Sequence, residues 1–78
     1  MRKKQRKLVI TFESTVGAMA AEKYCKEQNV PGRLIPVPTQ ITAGCGLAWA
    51  ANPEARERVL SVLKQNAINP ERIYEIMV

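Results

Sequence analysis

Four short runs rich in β-branched and apolar residues, with helical stretches in only two of the three gaps, leave this chain few ways to fold. Residues 7–13 (KLVITFE), 33–37 (RLIPV), 47–51 (LAWAA) and 72–78 (RIYEIMV) read as strands. The first gap holds residues 18–23 (AMAAEK), which have high helix propensity, with Ser14 and Thr15 offering an N-cap. Steps of three and four place Ala18, Ala21 or Glu22, and Cys25 on one stripe, with Val16, Met19 and Ala20 adding apolar area nearby. Asn29, Val30, Pro31 and Gly32 end that helix, because Pro31 disfavours helical geometry at Val30 and Gly32 permits a turn.

The second helix begins at Asn52, Pro53 and Glu54: a cap, a proline at the first position and an acid nearby. Ala55, Val59, Val62 and Leu63 fall on its apolar face, Asn66 suits a left-handed cap, and Asn69 with Pro70 turns the chain. In the last strand Tyr74, Ile76 and Val78 share one side. The order βαββαβ predicts an α+β, ferredoxin-like domain: a four-stranded antiparallel sheet with two helices on one face. Residues 7–78 form that single domain, and residues 1–6 form a basic N-terminal tail.

The formal net charge of +5 invites a nucleic-acid reading, but its distribution argues against one. Arg2, Lys3, Lys4, Arg6 and Lys7 account for five of the twelve basic residues, which leaves seven to balance the seven acidic ones. With four aromatics in all, the strands also offer no stacking platform for RNA. There is no histidine and no aspartate, which excludes His-dependent triads and the usual zinc sites, so neither a metal nor a cofactor is expected. No apolar segment reaches the length of a membrane span, and residues 8–10 are followed by polar Thr11, so an exported or membrane-bound protein is not expected. Cytoplasmic location and two reduced thiols follow as expectations.

Those thiols differ in setting. Cys25 lies on the apolar stripe of the first helix and reads as a small core residue. Cys45 stands between Gly44 and Gly46, where the missing side chains let a partner approach the sulfur and let the backbone take positive φ. Backbone amides turned toward one point would favour the thiolate, the form that acts as nucleophile or sulfur acceptor. Thr15, at a helix start, and Arg33 are candidates to support an anion or thiolate there. Pro36 belongs at a strand end or edge, and Pro38 stiffens the path through Thr39, Gln40, Ile41 and Thr42, which makes this an ordered loop. Trp49 is expected in the core.

These residues resemble a small bacterial family described as selenium/sulfur carrier-like proteins. The resemblance covers Leu8 to Val78 and rests on Phe12, Glu13, Ser14 and Thr15, on Ala18 with Ala21, Glu22 and Lys23, and on residues 34–38 (LIPVP). Its most specific part is residues 45–48 (CGLA), with Cys45 ten residues after Ile35. The resemblance implies a carrier role for Cys45: a sulfane sulfur or selenium taken from a donor such as a cysteine desulfurase, held as a persulfide or selenopersulfide, and passed to an acceptor protein. Such a carrier has no autonomous turnover. One departure is Thr39, where members often carry a basic residue after Pro-x-Pro; Arg33 or the N-terminal run would have to supply that charge. The alternative is a ferredoxin-like interaction or regulatory module in which Cys45 is incidental.

Overall fold

A computed structural model describes residues 5–41 and 46–77. The elements run β1 (Arg6–Thr11), α1 (Thr15–Glu27), β2 (Arg33–Pro36), β3 (Leu47–Ala51), a 3-10 turn (Pro53–Ala55), α2 (Arg56–Gln65) and β4 (Arg72–Met77). All strand pairs are antiparallel, in the order β2-β3-β1-β4. This is the ferredoxin-like α+β arrangement expected from the sequence, with β2 and β4 at the two edges.

Alternation along the strands builds one layer of the core. Leu8, Ile10, Trp49 and Ala51 point to the helices, where they meet Ala18, Ala21 and Cys25 of α1 and Val59, Val62 and Leu63 of α2. Register aligns these layers: Ile10 pairs with Trp49, and Trp49 with Leu34. The opposite face is also apolar. Val9 and Ala48 are fully buried there with Ile41, and Ile35, Val37, Tyr74 and Ile76 pack around them. The uninterrupted Leu8-Val9-Ile10 run is the sequence mark of a strand covered on both sides.

Local details differ from expectation in three places. Asn66 closes α2, its Nδ2 donating to the Val62 carbonyl at 2.9 Å, but its φ is −107°. The left-handed residue is Ala67, at φ 56°, because Asn66 is already committed to the last helical turn. At the other end, Asn52 directs its Oδ1 to Lys7 Nζ (2.8 Å) instead of capping, and Pro53 opens the 3-10 turn before α2. On α1, Ser14 is the cap, with Oγ accepting from the Gly17 N–H, while Thr15 is the exposed first residue of the helix. Val16 and Met19 are 77% and 57% exposed, because they lie across the helix from the Ala18–Ala21–Cys25 stripe. Val78 falls outside the described residues.

Candidate functional site: the β2–β3 connection

β2 ends on Pro36 and the connection to β3 carries Pro38 two residues later, and neither proline has an N–H to extend a strand ladder. The chain instead turns at Pro38, whose carbonyl accepts from the Ile41 N–H at 2.9 Å. Gln40 then reaches the far edge of the sheet, its Nε2 donating to the Met77 carbonyl of β4 at 3.1 Å. Ile41 is only 8% exposed, seated with Val9 and Ala48. Residues 37–41 therefore lie on the face opposite the helices and cover Val9 and Ala48.

The return is fixed at Gly46, whose carbonyl accepts from the Val37 N–H at 3.0 Å. Gly46 has φ 78°, in the left-handed region, and a Cβ built there would meet nothing within 4 Å. Its need for glycine is conformational, not steric. Cys45 and Gly44, the thiol and its other flanking glycine, lie outside the described residues, as does Thr42. Chain connectivity alone sets Cys45 one peptide from Gly46, about 3.8 Å between Cα atoms.

Of the supporting residues, Thr15 and Arg33 fall at opposite ends of the sheet. Thr11, at the end of β1, pairs with Ala48, and Gly46 precedes β3 by one residue, so the turn into α1 and Thr15 is at the same end as Gly46. The first turn of α1 carries no acidic side chain, which leaves the positive end of the helix dipole without an internal counter-charge. Arg33 begins β2, while Pro36 at its other end pairs with Leu47. Three strand residues, about 10 Å, separate Arg33 from that end. The exposed Thr39 occupies the turn between Pro38 and Ile41.

Cys25 is a free thiol with no exposed surface, and burial pushes its pKa up from the ordinary value. Desolvation disfavours the thiolate, so this cysteine is a packing residue. Among the described residues no cluster of His, Cys, Asp or Glu could hold a metal ion, and no helix is long and apolar enough to cross a membrane.

Sequence reasoning placed Gln40 and Ile41 in an ordered loop without giving either a role. The readable sign was there: a lone isoleucine just after Pro-x-Pro, opposite a first strand with no polar alternation. Comparison with curated proteins and with solved structures returned no match. The family comparison did: the model described as "Putative Se/S carrier protein-like" matches residues 7–75, nearly the whole domain from β1 into β4, and the chain belongs to that family.

Proposed function

We propose that the protein carries sulfur or selenium on Cys45 and delivers it to a partner protein. The observation that supports this most is the geometry at Gly46: the Cys-Gly step leads into a left-handed residue pinned by the Val37 N–H. A thiol that must meet another protein's active site benefits from attachment to a fixed frame. In the loading step the Cys45 thiolate attacks the outer sulfur of a donor persulfide. A new S–S bond forms at Cys45, the donor's S–S bond breaks, and the donor cysteine leaves as a thiolate. The persulfide proton stays on the transferred sulfur, and no net oxidant is consumed. Selenium follows the same path from a donor selenopersulfide. In the second step an acceptor nucleophile attacks the outer atom and Cys45 leaves as thiolate. Gly44 and Gly46 keep the approach open, and the start of α1 at Thr15 supplies positive potential at that end of the sheet; Arg33 acts only at longer range. This chemistry needs a reducing compartment, and the cytoplasm is the proposed one.

The test is incubation with a cysteine desulfurase and cysteine, followed by intact mass measurement. Added sulfur should appear on the wild type and on Cys25→Ser, and be absent from Cys45→Ser. No adduct on the wild type overturns the carrier reading.

A second reading is a binding module with Cys45 incidental, and the exposed Val16 and Met19 on α1 favour a partner-facing helix. It predicts partner binding that Cys45→Ser leaves unchanged.

A further inference from the structure

We propose that the sheet face opposite the helices is a docking surface for an acidic segment of a partner protein, with Arg33 and Arg72 at its two charged edges. The surface stands whether or not Cys45 carries sulfur.

Strand alternation sorts the charges of the sheet. Arg33 lies in register with Ala50, Val9 and Tyr74, and Arg72 in register with Thr11, Ala48 and Ile35. Val9, Tyr74, Ala48 and Ile35 belong to the cluster on the side away from the helices, so both arginines stand on that face. Lys7, paired with Ile76, joins them. The four strands hold a single carboxylate, Glu75, and it serves the other face, where it accepts from Arg56 at 2.7 Å. Residues 37–41, which cover Val9 and Ala48, carry no charge. The strands and cover therefore give this face three cations and no anion. Arg33 and Arg72 are exposed and, among the described residues, form no ion pair. Lys7 donates only to the neutral Asn52 Oδ1.

These cations frame an apolar floor. Ile41 seals the middle of the face, but Ile35 and Val37 on one side and Tyr74 and Ile76 on the other are only half-buried. Arg33 and Arg72 sit on opposite edge strands, three strand spacings apart, which is about 14 Å across the sheet.

Charge selects the occupant. A second copy of the chain laid face to face would set these cations against like charges, which disfavours a homodimer there. A nucleic acid would find cations but one aromatic, Tyr74, on which to stack a base, and the other three half-buried side chains are aliphatic. Aliphatic side chains flanked by carboxylates match both the floor and its edges, and that is the chemistry of an acidic protein segment.

The experiment titrates the full chain with a labelled peptide whose aliphatic centre lies between runs of Glu. A counterpart flanked by Lys and a labelled oligouridylate are run beside it. Fluorescence anisotropy at low salt reads affinity, and amide NMR shifts locate the contact. The Glu-flanked peptide should bind, weaken as salt is raised, and shift amides of β2 and β4, while the Lys-flanked one should not bind. Arg33→Glu with Arg72→Glu should weaken binding about ten-fold. Lys64→Glu, on the exposed side of α2, should leave it unchanged. Trp49 emission reports folding, since Trp49 is fully buried and is the single tryptophan. If the double reversal fails to fold, Arg33→Gln with Arg72→Gln decides, with an expected loss of about three-fold. No binding of the Glu-flanked peptide to wild type, binding that the arginine variants leave unchanged, or shifts confined to α1 and α2 overturns the proposal. Tighter binding of oligouridylate at the same amides, or a homodimer that buries Tyr74 and Ile76, overturns it as well, because a different partner then fills the face.

Discussion

Gly32 lies close against the indole of Trp49: a Cβ at Gly32 would sit 2.5 Å from Cζ2 and 2.6 Å from Cε2 of that ring. The backbone there has φ 149°, and the Ala50 carbonyl oxygen would be 2.8 Å from the same Cβ. The chain leaves α1 and enters β2 through this contact, so the largest core side chain is closed over by a residue with no side chain of its own.

Gly32→Ala therefore meets backbone on one side and a fully buried ring on the other, and neither can yield cheaply. Overpacking of this kind costs about 1–3 kcal/mol, with backbone strain in addition. Urea unfolding followed by Trp49 emission should show a lower midpoint with an unchanged slope.

Gly46→Ala should behave differently, because nothing lies within 4 Å of the added methyl and only the φ of 78° is unfavourable. Its cost is about 1–2 kcal/mol from the left-handed backbone alone. Sulfur loading of Cys45 should slow more than stability falls, since the strained residue is next to the thiol. Loading at the wild-type rate would show that the left-handed turn is irrelevant to delivery.

Ser14→Ala removes the Oγ that accepts from the Gly17 N–H at 3.3 Å. Loss of an N-cap costs about 1 kcal/mol, and Ser14→Gly should cost only a few tenths. Chemical denaturation of the two variants side by side checks the order.

Cys25 links stability to alkaline pH. Its thiol pKa is raised in the folded protein by burial, above the ordinary value of 9.0. Above that value the unfolded chain has lost its proton while the folded one keeps it, so stability is full below about pH 9 and falls as pH rises through the folded pKa. Denaturation midpoints of wild type and Cys25→Ala, compared from pH 7 to 10.5, should converge at the alkaline end. A constant difference would show that the thiol does not titrate differently on folding.

Much of this was legible in the residues. Helix faces are local patterns, so Ala18, Ala21 and Cys25 on α1 and Val59, Val62 and Leu63 on α2 were identifiable from spacing, and all six are buried. The strand at residues 47–51 and the expectation of Pro36 at a strand end or edge followed equally from local rules; Pro36 is the last residue of β2, which the sheet order places at an edge. At the candidate site, the glycines on both sides of Cys45 were read as permitting positive φ; Gly46 adopts it, and Gly44 lies outside the described residues. The position of the thiol itself falls outside the described residues, so its role is proposed from its neighbours.

What spacing does not carry is which distant groups meet. By itself the sequence determined the elements, their order and the inward face of each helix, because propensity, capping and periodicity act within a few residues. Only the tertiary structure decided that Gly32 closes over Trp49, that Gln40 reaches Met77 across the sheet, and that Ile41 fills the space over Val9 and Ala48. Those contacts depend on the strand order β2-β3-β1-β4, which brings together residues tens of positions apart through packing that no local pattern records.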